Sequence, residues 1–507
     1  MNRSERSANG KRIIIIGGGI SGLSSGIYAR LNGFDSLILE KTVNLGGECT
    51  GWWRQGFHID NSIHWLTGTN HDKDIYKVWC QVGALGPEIR TIPVDPFFSV
   101  DLPSGRVFHL HQDLGKLKEE MLEIAPEDKE EIDRFISAVK GYQKMEVTAR
   151  MPYDLGTPGF FAHTVWSMRG AIVPHVKYAK MTIREYSKLF KNEDLRYMIN
   201  AYFPRDYYAE AMLYIFGIIT SGNGNLPEGG SLALAERMAA KYSALGGESR
   251  TLAEVTSLDI EDGRVKAVIL KNGERIEADY VVSACPINVL LEKILKGEYK
   301  DRYFDRRMAS LSDHPIFSNA VVYFGCEGDA AEVRDNSIVT VNGFRAARRM
   351  HHSFLLHHYA HEKGFAPEGH FVCQAMVMQY GADFDAWKAY NDESPALYRE
   401  KKKEFAEQMQ RSLEERFPSL RGKTKILEVI TPLSFYKRCG PYKGGYMSFI
   451  RTPLAGTENH NGRIEGISNL QASGQWGLTG GMPAAVTSGK FAIQRICHDE
   501  KITFKGE

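Results

Sequence analysis

The sequence has few cysteines, no long apolar run and no excess of charge of either sign. Its seven cysteines are scattered through 507 residues without a Cys-x-x-Cys pair. An odd number of isolated thiols argues against a disulfide framework and a zinc site, and it indicates a reducing compartment. The longest apolar candidate, residues 211–220, is far shorter than the 18 or so residues of a membrane span. We therefore expect a cytoplasmic protein without a metal centre.

Charge and the N-terminal residues exclude further classes of protein. The 63 basic and 62 acidic residues leave a net charge of +1, which gives no electrostatic case for a nucleic-acid partner. Residues 1–11 are polar and charged, so they predict no signal peptide, and we expect residues 1–10 to form a disordered leader. The apolar share of 43% and the charged share of 25% are typical of a soluble protein with two or three domains.

The most informative stretch is residues 12–26. Its run of isoleucines, residues 13–16, is typical of a buried parallel strand. Gly17, Gly19 and Gly22 follow as G-x-G-x-x-G, which permits a tight strand-to-helix turn, close approach of a pyrophosphate and close packing of the helix. The new helix would present free N–H groups and the positive end of its dipole to the phosphates.

The residues that follow strengthen this interpretation. Residues 36–40 predict a second strand that ends in Glu40, 18 residues after Gly22, where a dinucleotide fold places its ribose-binding carboxylate. A glycine-rich turn without a ligand is the alternative, and the order of strand, helix, strand and acid disfavours it. A nicotinamide-only domain would not need the second glycine pair, Gly46-Gly47, which permits a loop to fold back over the phosphates and a flavin.

From Gly17 to Gly68 the sequence resembles the amine-oxidase-like flavoproteins. Within them it is similar to a bacterial branch of the phytoene desaturase, carotenoid isomerase and retinol saturase group. The resemblance is carried by Gly46-Gly47-x-Cys49-Thr50-x-Trp52-x-Arg54-x-Gly56, by Asp60 and by Ile63-His64-Trp65-Leu66. Two residues depart from the family pattern. Glu48 would put a negative charge near the flavin or phosphates where the family often has a basic or small residue, and Asn61 replaces a frequent glycine.

Two later segments match the same family. Residues 254–258, 265–270 and 278–284 predict strands joined by an Asp-Gly and an Asn-Gly turn, and the resemblance implies that the backbone of Val255 contacts the adenine. Near the C-terminus, residues 468–476 predict a strand and a turn, and a helix over residues 484–497 starts at Gly480-Gly481-Met482-Pro483. The resemblance implies that the positive end of this helix faces the flavin.

By this resemblance we expect an α/β fold with a Rossmann-type, GR2-like FAD-binding domain assembled from three segments. These segments are residues 11–85, 225–295 and 460–507. Two insertions, residues 86–224 and 296–459, would form an α+β substrate-binding domain.

The insertions carry weaker signals. Residues 70–224 predict mainly helices, and the aromatic-rich residues 197–216 would form either an apolar tunnel or plain helix core. Residues 321–325 and 371–379 predict strands. Five histidines lie within residues 345–361, where His357 and His361 would share a helix face. A polar loop leading into a strand is the favoured interpretation there, and a metal site is the weaker one.

The resemblance implies an FAD-dependent oxidoreductase acting on a long apolar polyene, isoprenoid or unsaturated lipid, by desaturation, saturation or cis–trans isomerisation. The alternatives are an amine or amino-acid oxidase, and a non-redox module that binds prenylated proteins. We expect non-covalent FAD, and a lipid substrate would favour peripheral membrane contact.

The expected catalytic or cavity residues are His64, Trp65, Tyr436 and Arg438. His64 would serve either as a proton donor or as a structural histidine. The expected flavin-binding residues are Gly17, Gly19, Ile20, Ser21, Gly22, Glu40, Lys41, Gly46, Gly47, Glu48, Ile63, His64, Val255, Gly474, Gln475, Gly481, Met482 and Pro483.

Overall fold

The computed structural model describes residues 10–146, 149–456, 458–477 and 480–506, so the predicted leader lies outside the described residues except for Gly10. The strands are β1 (Arg12–Ile16), β2 (Asp35–Leu39), β3 (Gly51–Arg54), β4 (Phe57–Asp60), β5 (Leu66–Thr67), β6 (Thr91–Ile92), β7 (Phe98–Asp101), β8 (Val107–Leu110), β9 (Gly224–Pro227), β10 (Glu248–Arg250), β11 (Val255–Glu261), β12 (Arg264–Leu270), β13 (Arg275–Glu277), β14 (Tyr280–Ser283), β15 (Phe317–Glu327), β16 (Ser337–Ala346), β17 (Arg349–His358), β18 (His370–Tyr380), β19 (Thr424–Ile430) and β20 (Leu470–Ala472).

The helices follow the same chain order. They are α1 (Ile20–Leu31), α2 (Asp74–Gln81), α3 (Leu114–Ile124), α4 (Lys129–Tyr142), α5 (Pro158–Met168), α6 (Ile172–Tyr178), α7 (Ile183–Ser187), α8 (Glu193–Ala201), α9 (Ala209–Thr220), α10 (Gly230–Ala244), α11 (Arg302–Ala309), α12 (Gly381–Glu393), α13 (Pro395–Arg416), α14 (Pro432–Cys439) and α15 (Gly481–Asp499). Among the described helices, none has the length and apolar composition to cross a bilayer.

A parallel sheet of five strands, in the order β10–β2–β1–β14–β20, takes its strands from three distant parts of the chain. The isoleucines of β1 are buried on both faces of this sheet. Ile13 and Ile15 join the core beneath α1, and Ile14 and Ile16 pack against the antiparallel β11–β13 meander. A strand covered on both faces requires the continuous apolar run that the sequence has. The predicted α/β class with a three-segment Rossmann-type sheet is confirmed.

Helices α10 and α15 pack on both sides of α1, and glycines permit their close approach. A Cβ at Gly26 of α1 would lie 2.7 Å from the ring of Tyr242 in α10. A Cβ at Gly489 of α15 would overlap the carbonyl oxygen of Ser21. The C-terminal helix is therefore locked against the helix that follows the glycine loop, although the two lie more than 450 residues apart.

The second large sheet has seven strands in the order β19–β15–β18–β17–β16–β7–β8. The predicted strands over residues 321–325 and 371–379 are confirmed as parts of β15 and β18, which pair along their full length. Residues 70–224 are mainly helical, as predicted, but β7 and β8 interrupt the helices. These two strands of four residues each form a hairpin, and β7 joins the sheet by parallel pairing with β16. So short an alternation carries little signal in the sequence.

The histidine-rich segment is a strand hairpin and not a helix. β16 and β17 pair around a turn at Ala347, so His357 lies in a strand and His361 follows it in a turn. The shared helix face predicted for His357 and His361 is therefore wrong, because alternation in a strand replaces the helical repeat. A different group, His109, His111 and Glu120, brings three potential metal-ligating atoms within 4.8 Å of one another.

Candidate active site

One cavity of about 800 Å³ connects the parallel sheet with the helices of the first insertion. Most of the predicted site residues line it. These are Gly17, Gly19, Ile20, Ser21, Glu40, Lys41, Gly46, Gly47, Glu48, His64, Trp65, Val255, Gly474, Gln475, Gly481, Met482 and Pro483. The structure thus brings segments from both ends and the middle of the chain around one continuous space.

The two glycine loops form a layered cradle at the carboxyl end of β1. Gly17 has a φ of +100°, so the tight turn requires glycine. A Cβ at Gly22 would overlap the carbonyl oxygen of Gly17, so the start of α1 requires glycine as well. The N–H of Gly46 donates to the carbonyl of Gly18 at 2.8 Å, which folds the second loop over the first. A Cβ at Gly47 would lie 3.1 Å from the Cα of Gly19. Side chains at these positions would fill the cradle.

Glu40 closes one side of this cradle. Its Oε2 accepts the N–H of Gly18 at 2.7 Å, and its Oε1 accepts the N–H and the hydroxyl of Thr42 at 2.8 and 2.9 Å. A carboxylate offers about four acceptor positions, so these three bonds orient the side chain and leave capacity for a ligand hydroxyl. The position matches that of a ribose-binding acid in a dinucleotide fold.

The first turn of α15 forms the opposite wall. Its N-cap residue, Gly480, has no side chain that could cap the helix, and the N–H of Gly481 donates to Oε1 of Gln475 at 2.8 Å. Gln475 is held in turn by its amide, which donates to the carbonyl of Tyr446 at 3.3 Å. The turn beside it is tied to α1, because Ser488 accepts the N–H of Gly474 at 2.7 Å and contacts Ser21 at 3.3 Å. The positive end of the α15 dipole therefore opens into the cavity.

His64 lies on the cavity wall with a fixed orientation. Its Nε2 is 3.2 Å from Oε1 of Gln374, and the amide of Gln374 donates to the hydroxyl of Tyr323. Because that amide donates to Tyr323, Oε1 is the acceptor toward His64, which therefore carries its proton on Nε2. Burial, and then the neighbouring His357, lower the pKa of His64 to about 4. The imidazole is neutral at pH 7, with Nδ1 as a hydrogen-bond acceptor.

The other candidate residues divide into wall and supporting positions. Trp65 lines the cavity with its ring edge-on to Phe97, at 5.2 Å between centroids. Tyr436 is not among the described residues that line the cavity, and its ring packs on Phe384 at 5.4 Å. Ile63 is buried behind the wall, where its N–H donates to Ser231 at 2.9 Å. Ile63 therefore positions the wall residue beside it.

Glu48 and Arg438 both lie at the edge of the second glycine loop, where the charge of Arg438 acts on Glu48. Arg438 lies behind the wall, and its guanidinium donates to the carbonyl of Gly47 and to Thr50, both at 3.4 Å. Burial raises the pKa of the Glu48 carboxyl to about 8, although the charge of Arg438 lowers it. Glu48 is therefore largely protonated at neutral pH. The negative charge that the sequence suggested at this position is absent under these conditions.

An apolar arm of the cavity extends from Trp65 along one face of α9. Ala211, Tyr214, Ile215 and Ile218 line it, with Tyr142 and Met145 on the facing side. The spacing i, i+3, i+4 and i+7 gives α9 one continuous apolar face. Of the two interpretations of residues 197–216, the structure supports a tunnel wall for residues 211–215, and the wall continues beyond the predicted range to Ile218.

Several lining residues were not predicted from the sequence. Glu210, at the start of α9, accepts the hydroxyl of Tyr142 at 3.0 Å and lies 2.8 Å from Nδ1 of His175. Tyr446 donates to the carbonyl of Ser62 at 2.6 Å, and its ring centroid is 6.3 Å from that of His64. The helical spacing within 211–218 was the one available signal. Glu210 and Tyr446 have no local pattern that distinguishes them from surface residues.

Comparison with known proteins agrees with this geometry. A family model described as flavin containing amine oxidoreductase matches residues 20–497. Phytoene desaturase (lycopene-forming) from Paracoccus sp. is 25% identical over 96% of this chain and 98% of its own length. Prolycopene isomerase 2 from an Oncidium hybrid cultivar is 23% identical over 96% of this chain and 84% of its own length.

Solved structures share the fold at low sequence identity. An oxidoreductase from Methanosarcina mazei has a TM-score of 0.61 at 13% identity, covering 95% of this chain and 100% of that one. A putrescine oxidase variant from a redesign of cofactor binding has a TM-score of 0.61 at 14% identity, covering 96% and 99%. These likenesses show the fold, and the family model matches residues 20–497. The chain belongs to the flavin containing amine oxidoreductase family and is a flavin-dependent oxidoreductase.

Proposed function

We propose that this protein is an FAD-dependent oxidoreductase that desaturates, saturates or isomerises a long apolar polyene, isoprenoid or other unsaturated lipid. The observation that carries the proposal is the continuity of one cavity from the glycine cradle into the apolar arm along α9. Relatives named phytoene desaturase and prolycopene isomerase align over nearly the whole chain, which supports a substrate of the same class.

The cradle residues would hold the cofactor along its length. Glu40 would accept the ribose hydroxyls, and the uncapped start of α1 would bind the pyrophosphate. The first turn of α15 would face the ring, which supplies the two-electron chemistry when bound. We propose non-covalent attachment, since burial raises the pKa of the thiols that line the cavity, to about 11 for Cys285 and about 12 for Cys439. A protonated thiol is a poor nucleophile.

We propose that the two sheets mark two domains. The strands of the parallel sheet all fall within residues 11–85, 225–295 and 460–507, which would bind FAD. The strands of the seven-stranded sheet all fall within residues 86–224 and 296–459, which would bind the substrate. The cavity is lined from both sets, so the reacting bond would sit at their junction.

Two of the four candidate side chains would touch the substrate. His64 and Trp65 lie on the wall between the cradle and the arm, so they would orient the reacting double bond. The neutral His64 would accept a hydrogen bond or a proton at Nδ1. Arg438 would act through Glu48 and the second glycine loop, and Tyr436 through its packing on Phe384.

Product analysis tests the proposal directly. The purified flavoprotein is incubated with cis and trans polyene hydrocarbons in lipid vesicles, and the products are separated by chromatography. We expect a change in double-bond number or geometry. Unchanged polyenes, together with peroxide release on addition of primary amines, would establish the amine oxidase alternative instead. We further propose that the protein works in the cytoplasm as a peripheral protein on a lipid surface, where such substrates reside.

A further inference from the structure

An exposed apolar surface lies on the helical hairpin formed by α5 and α6. Six large apolar side chains are exposed there. They are Phe161 (46%), Val165 (64%), Trp166 (65%), Ile172 (47%), Val173 (75%) and Val176 (80%). Soluble proteins seldom concentrate such side chains on a single surface without a partner.

The hairpin is joined to the rest of the molecule at its turn and along α6. Pro174 and Tyr178 of α6 are buried, and so is Phe160 of α5. α6 packs on α4 and α9. The turn meets α4 at close range, because a Cβ at Gly141 would overlap the carbonyl oxygen of Gly170.

The charged residues on the hairpin itself are basic. Residues 155–184 contain no aspartate or glutamate, whereas Arg169, Lys177 and Lys180 lie within them. Arg184, in α7, is instead paired with Asp206 at 3.0 Å. The guanidinium of Arg169 lies 4.0 Å from the ring of Trp166, and Lys177 lies 5.0 Å from the ring of Tyr178. Lysines interleaved with exposed valines are typical of helices at a bilayer surface, while the core of a protein–protein interface is depleted in lysine.

The surface is contiguous with the wall of the cavity. Tyr153 lines the cavity and is also exposed, and its ring lies 5.7 Å from that of Phe160 at the start of α5. On α6, His175 is bonded to Glu210, which lines the apolar arm. The hairpin therefore lies next to the part of the cavity farthest along α9 from Ile218.

We propose that the α5–α6 hairpin is a docking surface for anionic lipid bilayers, with its exposed apolar face in the interfacial region and its basic residues at the headgroups. A protein seated in this way presents the part of the cavity beside Tyr153 to the bilayer. Only the identity of the lipid substrate that would enter the cavity rests on the proposed function. Docking itself is a property of the hairpin.

Vesicle co-sedimentation of the full-length flavoprotein without substrate tests the proposal. Vesicles of phosphatidylcholine with 30% phosphatidylglycerol are compared with phosphatidylcholine alone. Each basic residue near an anionic surface contributes about 1 kcal/mol, roughly a fivefold change in affinity, so we expect at least tenfold tighter binding to the anionic vesicles. This preference should fall as salt rises from 0.1 to 0.5 M. Equal binding to both vesicle types, or none to either, would overturn the proposal.

Matched variants identify the surface. The hairpin variant carries Val165→Ser, Val173→Ser and Val176→Ser. The control variant carries Leu252→Ser, Met350→Ser and Leu454→Ser, which are also exposed apolar residues. We expect the hairpin variant to lose at least tenfold in vesicle affinity with unchanged flavin content and melting temperature, and the control to bind as the wild type does.

A second copy of the chain is the rival occupant of this surface. Light scattering would reveal it as a dimer that the hairpin variant converts to a monomer. If that conversion occurs while vesicle binding stays unchanged, the surface is a dimer interface and the proposal is wrong. Because no turnover is measured, inactivity toward polyenes would contradict the proposed function and leave docking intact.

Discussion

The two ends of the cavity are built by different means. The cradle is made of backbone, in which Gly17, Gly46 and Gly47 adopt positive φ angles and lie too close to neighbouring backbone for side chains. The apolar arm is made of side chains that α4 and α9 contribute from separate parts of the chain. Backbone cradles tolerate almost no substitution, whereas side-chain walls can be reshaped. Cofactor identity and substrate choice are therefore encoded separately in this molecule.

The largest effect is expected from a substitution that disrupts only the glycine cradle. Gly46→Ala would place a Cβ 2.5 Å from the carbonyl oxygen of Cys49 at a φ of +111°. Strain of this kind costs about 1–3 kcal/mol before the clash is added, so we expect flavin content to fall below about a tenth of the wild-type value. Absorbance at 450 nm relative to protein measures it. Gly105→Ala is the matched control, since its φ is +85° and its Cβ would meet open space. Full flavin content in the Gly46→Ala protein would refute the backbone account.

The next largest effect is expected from a substitution that fills the apolar arm and leaves the cradle intact. Ala211→Trp would fill the end of the arm beside Glu210, so we expect kcat/KM for a long polyene to fall about 30-fold or more, a loss of about 2 kcal/mol in transition-state stabilisation. The flavin spectrum should be unchanged. A truncated polyene that does not reach Ala211 serves as the internal control. An equal loss for both polyenes would mean that the arm does not hold the substrate.

A smaller effect on kcat/KM is expected to distinguish residues on the cavity wall from residues behind it. We expect His64→Phe to lower kcat/KM about tenfold with flavin retained, because His64 lines the cavity. Tyr436→Phe should change it less than about twofold, since the Tyr436 ring packs against Phe384 away from the wall. The pKa of about 4 also predicts no His64 titration between pH 5.5 and 8. Equal losses in the two variants would place the reacting bond elsewhere.

The smallest effect concerns the stability of the cradle edge. Burial raises the pKa of Glu48 from about 4.5 to about 8, so between these values the folded state binds a proton that the unfolded state has released. The free energy of unfolding then falls as pH rises from about 5 to about 8. We expect Glu48→Gln to remove part of this loss, with a melting temperature about 2 °C above wild type at pH 8 and equal at pH 5. A pH-independent difference would contradict a buried, titrating Glu48.

The same contrast explains what the sequence can predict. Local chain geometry sets the glycine spacing, the strand before it and Glu40 after it. The cradle can therefore be predicted from about thirty residues of sequence. The arm is not, because an apolar face on α9 looks the same whether it borders a cavity or a core. Pairing with distant residues decides that β7 and β8 join the large sheet. It also decides that the histidine-rich segment forms a strand. Glu210 and Tyr446 reach the cavity through tertiary packing, which no local pattern reports.

Mass spectrometry of the small molecules that co-purify with the flavoprotein shows what the apolar arm holds. We expect an apolar polyene or unsaturated lipid, present in the wild type and absent from the Ala211→Trp variant, while both proteins retain flavin at equal occupancy. An amine bound in its place, or the same lipid retained equally by the variant with the filled arm, would contradict this expectation.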